Sequence, residues 1–501
     1  MVLLHFEHDG PMDVISEART TIQNSAWILV QRGLHAASGF VFAILVPRLM
    51  GADIYGRYSL LTSLSIWFVL FSRLNLVDVI GRYAPEFILK RDKEGLQDFF
   101  GDLLTVRLAS GTLATGLYLG VTVMWLRDLD PWVLVIVAGT VFVRAISDLL
   151  FAVFVGLNQA SRWQMGETLR QWMSLGILLP GFRLGGLRGA VLALLLTELI
   201  VLFIGVYWIR SHLAWPGLHL DVRRSIPYLQ FGLVFFAGDV LGMALGVSGE
   251  TLVRVITGDY VEVAYFGLAH RVYITLALAI PQLALAFTPL LTALLSQGHI
   301  ETLKRWLERL LKYLSLGGVF AVFGTLLLAD DLVPLVLGAA YRPVADNLVP
   351  LTLTLLAVAA GNVARLLAVI DLQPRVALGA SALRFVAFWV LGIPLVASLG
   401  SLGACVAMLA ASLLHAGYFT WYMRRALRYS LRGSLLAIGL GIVFLPLVWL
   451  RSSWGTNMLL YGAFVLGYSV MLLLLRVLSR SEVAQLWQAL AARGRMPKPS
   501  V

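Results

Sequence analysis

The sequence predicts an all-α, polytopic membrane protein of about 14 transmembrane helices: two pseudo-symmetric six-helix lobes and two further C-terminal helices. Three observations predict it. The 501 residues are 59% hydrophobic and only 13% charged, whereas an average soluble domain carries about 25% charged residues. The apolar residues fall in blocks matching the ~20 residues that cross a bilayer: residues 433–450, 452–475 and 385–423 carry no formal charge. Part of the first half of the chain also recurs in the second.

Residues 1–24 contain no apolar core preceded by positive charge, so a cleavable signal peptide is not expected there. Hydrophobic blocks and turn signals then place helices over approximately 24–48, 56–80, 101–125, 131–155, 165–183, 187–209, 227–250, 261–288, 310–329, 345–370, 375–398, 402–423, 433–450 and 455–477. Gly400 and Gly403 divide a block too long for one crossing. Residues 25–226 form the N-lobe, 227–432 the C-lobe, 433–477 the added pair and 478–501 a basic tail.

Loop charge orients this array. With the N-terminus inside, 23 of the 39 basic residues fall in inner loops and tails, 8 in outer loops, and the rest within spans. Both termini are therefore expected in the cytoplasm, in a cell inner membrane. The net charge of +11 follows from this topology, and no nucleic-acid partner is expected. The longest inner loops, 81–100 and 289–309, leave no room for a soluble catalytic domain. Residues 300–314 and 481–493 read as amphipathic helices lying in the inner interface. Cys405, the single cysteine, reads as a small packed residue.

The repeat pairs Gly51 and Tyr58 with Gly258 and Tyr265. Pro85 and Pro289 stand at a similar offset before basic loops. Six helices separate the copies, so both insert with the same orientation, and substrate sites in such proteins lie near the midplane between repeats.

Charges within spans cost about 2.5–3.5 kcal/mol each at the bilayer centre, yet helices 1–12 keep many. Arg144 with Asp148, and Glu167 with Arg170, stand at helical spacing, and each is read as part of a local or interhelical pair. Arg107, Glu198, Arg365 and Arg384 await partners. On helix 1, Ser25, Arg32, His35 and Ser38 share a stripe. Helix 7 carries Gly238, Gly242 and Gly246 beside Asp239, and ends at Glu250. Helix 8 carries His270 and Arg271 before Pro281. Arginine dominates this set, and its fork matches phosphate oxygens. Asp239 and Glu250 are candidates for ion coupling or gating, with H+ or Na+ as the ion.

The run Pro47 to Ser59, with Gly51, Tyr55, Gly56 and Tyr58, resembles the "lG...yG.y" signature of the oligosaccharide flippases. These polysaccharide biosynthesis proteins belong to the multidrug/oligosaccharidyl-lipid/polysaccharide (MOP) exporter superfamily. Gly81 to Glu86, Glu250 to Tyr265 with Pro289, and Gly338 to Ala345 are similar to further family segments. The resemblance implies a V-shaped central cavity, alternating access and an undecaprenyl-pyrophosphate-linked oligosaccharide as substrate. It places Arg32 and Arg271 in the cavity, with His35, Arg73 and Arg365 as further substrate-binding candidates. Glu250 stands where many relatives carry Asp. Membrane lipids and glycan polymerase or ligase machinery are the expected partners.

Two other functions compete. One is a multidrug or organic-ion antiporter of the same fold, for which an acidic cavity would be more natural. The other is a membrane glycosyltransferase or polymerase using Asp128 and Asp130, or Asp330 and Asp331. No metal-protease, phosphate-loop or nucleophile-triad motif is present. Catalytic residues, metals and cofactors are not expected.

Overall fold

A computed structural model of the chain describes residues 31–477, apart from residues 32, 35, 36, 158, 211–216, 218–220, 278, 279, 281–290, 292, 293, 296, 371–373 and 476. Among the described residues there are helices and no strands. In chain order they are α1 (Ala37–Met50), α2 (Ala52–Arg73), α3 (Leu76–Leu89), α4 (Lys93–Trp125), α5 (Pro131–Gly156), α6 (Ala160–Ile209) and α7 (Val222–Thr257). Then follow α8 (Tyr260–Ala277), α9 (Ile300–Leu337), α10 (Pro343–Ile370), α11 (Pro374–Leu399), α12 (Ser401–Leu427), α13 (Arg432–Ile442) and α14 (Trp454–Leu474). Ten of the described helical segments are long and apolar enough to cross a membrane, as a multi-pass membrane protein requires.

Several boundaries differ from the sequence reading, two of them in the inner segments. The inner loop expected over 81–100 is mostly helix, because α3 runs on to Leu89 and α4 starts at Lys93. Leu76, Val79, Ile80 and Ala84 bury one face of α3. Asp92 caps α4 by accepting a hydrogen bond from the Gly95 N–H at 2.8 Å, satisfying a donor that the first helical turn leaves open. Residues 300–314 are likewise no separate interfacial helix. They begin the 38-residue α9, and Leu303, Leu307, Leu310 and Leu314 are buried in the protein. Residues 481–493 lie outside the described residues.

The chain divides into two compact units, Met1–Leu268 and Ala269–Val501, with the boundary inside α8. The repeat reading divides the chain earlier, at residue 226. In the first unit Leu76, Phe99, Leu103, Phe154 and Val201 build a buried core joining α3, α4, α5 and α6. In the second, Phe323 of α9 stacks on Phe464 of α14 at 4.0 Å, and Tyr468 donates to the Ala437 carbonyl of α13 at 2.8 Å. Leu184, Trp449 and Leu459 are among many exposed apolar side chains. Such a coat suits lipid and not water.

α6 is two spans joined by a turn at Gly186, whose φ of 55° and ψ of −137° break the helix. Gly400, between α11 and α12, has nearly the same conformation, with φ 59° and ψ −136°. Each turn is followed three residues later by a second close approach. A Cβ on Gly189 would lie 1.9 Å from the Gly181 carbonyl oxygen, and one on Gly403 would lie 2.0 Å from that of Leu395. Gly186-Leu-Arg-Gly189-Ala190 and Gly400-Ser-Leu-Gly403-Ala404 are therefore the same helical hairpin built twice. Gly51 and Gly258, the glycines of the sequence repeat, both have positive φ, 74° and 69°, but differ in ψ, 164° against 1°. Pro289 lies outside the described residues.

Candidate functional site: a buried arginine and carboxylate cluster

In the first unit the charges of four spans converge. Arg73, in the last turn of α2, donates to Asp148 of α5 at 2.8 Å. Arg170 of α6 lies at the centre. It donates to Asp148 at 3.1 Å, Glu167 at 2.6 Å, Glu198 at 3.0 Å and the Ser147 hydroxyl at 2.8 Å. Arg144 of α5 reaches Glu198 across the helix interface at 3.7 Å. Sequence spacing allowed a local pair of Arg144 with Asp148. The structure gives Asp148 to Arg73 and Arg170, since side chains from neighbouring helices meet it at better geometry than one on its own helix.

A further guanidinium stands beside this group. Arg107 of α4 is buried and donates to the Ala145 carbonyl at 2.6 Å and to the Ser72 carbonyl. Ser110 also donates to Ser72, at 3.0 Å. Ser72 needs these donors because the helix breaks just after it. Leu74 and Asn75 adopt φ values of 45° and 53°, a left-handed pair of non-glycine residues that costs about 1–2 kcal/mol each. Asn75 donates from Nδ2 to Asp78 at 2.8 Å. Gly232 of α7 packs so tightly that a Cβ there would come within 2.7 Å of the Leu74 carbonyl oxygen. The break is held on several sides and sets the position of Arg73.

Among the described residues Arg73, Arg107, Arg144 and Arg170 stand with Asp148, Glu167 and Glu198, four positive groups against three negative. Bringing one ion into such surroundings costs several kcal/mol unless it is paired. The more accessible guanidiniums are those of Arg73 and Arg144, whose side chains are 30% and 28% exposed, against 9% for Arg170. The Arg144 Nε is buried without a hydrogen-bond partner.

At the far end of α2 a second cluster closes the same unit. A Cβ on Gly56 would fall 1.8 Å from the Tyr260 carbonyl oxygen, so α2 and α8 touch backbone to backbone. Two cations pack on the Tyr260 ring, Arg254 at 3.9 Å and Arg57 at 4.6 Å from its centroid. Arg254 pairs with Asp128 at 3.2 Å and Arg57 with Asp53 at 3.0 Å. Midway along this contact Ser59 donates to the buried Glu250 carboxyl at 2.9 Å. Gly267 of α8 leaves room for that bond, since a Cβ there would stand 2.7 Å from the Glu250 oxygen.

Of the residues singled out from sequence, Arg73 joins the charge cluster and Glu250 the α2–α8 contact. Arg32 and His35 lie outside the described residues. So do the side chains of Asp239 on α7 and Arg365 on α10. Arg271 is half-buried on α8, in the second unit, where Arg384 donates to Ser412 at 3.1 Å. The carboxylates weighed for an enzyme have structural partners. Asp130 caps α5 and binds Arg188, Asp330 pairs with Arg451 at 2.7 Å, and Asp331 accepts from Asn457 at 2.6 Å.

One signal would have disclosed the cluster. Asp148 stands eight residues before the end of α5 at Gly156. Arg170 stands ten after the start of α6 at Ala160, and Glu198 eleven before its end at Ile209. At 1.5 Å per residue all three lie about 12–17 Å from the same ends of their helices.

No protein-family model matches the chain, and no curated protein does. Solved structures do match. The lipid II flippase MurJ in its inward closed conformation superposes with a TM-score of 0.67 at 14% identity, covering 90% of this chain and 98% of that one. An inward-facing multidrug resistance MATE family transporter of the MOP superfamily gives a TM-score of 0.67 at 17% identity, covering 79% and 94%. An outward-facing MATE family transporter of the MOP superfamily gives 0.54 at 15%, covering 81% and 95%. The class is thus defined by architecture: the chain has the fold of the MOP-superfamily transporters. Each of these three neighbours is named as a transporter or flippase.

Proposed function

We propose that the protein is a flippase. It carries a polyprenyl-pyrophosphate-linked oligosaccharide from the cytoplasmic to the outer leaflet of a cell inner membrane by alternating access, for surface polysaccharide biosynthesis. The observation that carries this reading is the excess of guanidinium over carboxylate within the spans of a MOP-type fold. A pyrophosphate is a compact dianion that two or three arginine forks hold at once. Arg32, His35, Arg73, Arg271 and Arg365 are assigned to the passenger, and Asp239 and Glu250 to coupling with H+ or Na+. The chain performs no covalent step, and its two ends lie in the cytoplasm. The lipid-linked substrate in the name of one structural neighbour supports the reading.

The second reading, a multidrug antiporter, draws on the equal TM-score of the MATE neighbour. The charge balance of the cluster argues against it, because an organic cation would meet a positive site.

The test is charge reversal. Arg32→Glu and Arg271→Glu should each abolish glycan export while the protein still reaches the membrane in normal amount. Depletion of the protein should leave lipid-linked sugar on the cytoplasmic leaflet. Normal export by both variants would overturn the assignment, and a glycan left unassembled would favour the enzyme.

A further inference from the structure

The second unit holds a polar cavity of about 380 Å³ where α9 ends and α14 begins, a volume within the range of small-ligand sites. It is lined by Asp330 and Asp331 from α9, by Arg342 just ahead of α10, and by Arg451, Ser452 and Asn457 about the start of α14. Four of these six are charged, two of each sign. One pair is satisfied internally, since Arg451 donates to Asp330 at 2.7 Å and to the Leu326 carbonyl. The other two charges are not. Among the described residues Asp331 accepts only from a neutral donor, the Asn457 amide at 2.6 Å. Asn457 is itself buried and fixed by accepting from the Ser452 N–H at 3.1 Å, so it holds the carboxylate in place without neutralising it. The guanidinium of Arg342, an exposed residue, makes no hydrogen bond or ion pair with any described residue. One negative and one positive group thus line a single cavity, each without an opposite charge.

The edge of the cavity is apolar. Leu335, next to Pro334 of the lining, is 63% exposed. Trp449 and Trp454 bracket Arg451 and Ser452 along the chain, at 87% and 36% exposure, and tryptophan gathers at the level of lipid head-groups.

We propose that this cavity binds the head-group of phosphatidylethanolamine. A dipolar ion answers a site that holds one uncompensated charge of each sign. Its phosphodiester matches the Arg342 fork, and its primary ammonium, with three N–H donors, matches the Asp331 carboxylate. Among the described residues no aromatic side chain lines the cavity, and aromatic faces are what recognise the quaternary ammonium of phosphatidylcholine. The chemistry shared with a water-soluble ligand is the phosphoethanolamine dipole. The tryptophans and the exposed leucine at the rim favour the lipid as its source. The site is independent of the passenger the protein carries.

The test uses the full chain in detergent micelles. Native mass spectrometry would follow titration with dioleoylphosphatidylethanolamine, dioleoylphosphatidylcholine, dioleoylphosphatidylglycerol and, separately, free glycerophosphoethanolamine. Each charged contact should contribute about fivefold to occupancy, so phosphatidylethanolamine should lead the other two lipids by that factor. Asp331→Asn, which still accepts from Asn457, should lower phosphatidylethanolamine binding about fivefold and leave the other two lipids undiminished. Arg342→Gln should weaken all three by about fivefold, and Arg305→Gln, at the opposite end of α9, none. If Asp331→Asn aggregates, Arg342→Gln carries the test, since that side chain bonds to no described residue. Unchanged phosphatidylethanolamine binding in either variant would overturn the site, and so would an equal loss of all three lipids in Asp331→Asn. Glycerophosphoethanolamine binding as tightly as the lipid would overturn the lipid as its source.

Discussion

Arg170→Met is the sharpest test of the charge cluster, because charge counting and geometry disagree about it. By counting, the change is benign, since it leaves three guanidiniums facing three carboxylates. By geometry it is severe. Arg170, 9% exposed, supplies hydrogen bonds to three carboxylates and one hydroxyl. Without it, among the described residues, Glu198 keeps Arg144 at 3.7 Å and Asp148 keeps Arg73 at 2.8 Å. Removing one partner of a buried ion pair costs about 3–5 kcal/mol, or roughly two to nearly four powers of ten in the folding constant. Protonation of Glu167 would offset part of this. Arg170→Lys keeps the charge without the fork, so its cost should be smaller. The assay is equilibrium unfolding of purified protein in mixed micelles with increasing dodecyl sulfate, followed by loss of helical circular dichroism. If Arg170→Met unfolds at the wild-type midpoint, the cluster does not hold these helices together and the geometric argument fails.

Two other outcomes follow from the packing. Gly189→Val and Gly403→Val should each lower thermal stability by several degrees in detergent, because both put a side chain where a carbonyl oxygen stands within 2.0 Å of the first added carbon. Gly462→Val, with open space around it, should not, and equal melting of all three would refute the twin-hairpin reading. Glu250→Gln keeps a carbonyl to accept from Ser59 but cannot titrate. It should insert and melt like the wild type, while transport loses its dependence on the ion gradient. A gradient dependence left intact would remove Glu250 from coupling.

The sequence made the helices legible and their partners illegible, for different physical reasons. An apolar block of bilayer length announces a span on its own, and the glycines at 400 and 403 mark a hairpin because no other residue fits that backbone approach. The turn at Gly186 is placed as well, between the spans read over 165–183 and 187–209, but low identity around it hides that it is the same hairpin as the one at Gly400. The break after Arg73 leaves no such mark. Leu74 and Asn75 are neither proline nor glycine, and their left-handed backbone is imposed by Arg107, Ser110 and Gly232 from other helices. Local spacing could not choose between a local and an interhelical partner for Arg144, because i,i+4 geometry shows which side chains face one way and not which neighbour offers the better bond. Position along the helix would have carried the information, since Asp148, Arg170 and Glu198 share one depth.

Arg107 has a consequence for biogenesis. A lone arginine on a helix leaving the translocon would meet hydrocarbon at a cost of about 2.5–3.5 kcal/mol. One of its acceptors, Ser72, belongs to a segment already synthesised, and the other, Ala145, to one still to come. Contact with the preceding helix through the Ser72 carbonyl would lower that cost. Arg73, made early, then waits for Asp148, which in turn waits for Arg170. Each of these charges thus has a native partner on a segment made after it, so none of the early helices finds its full set of partners until α6 is complete.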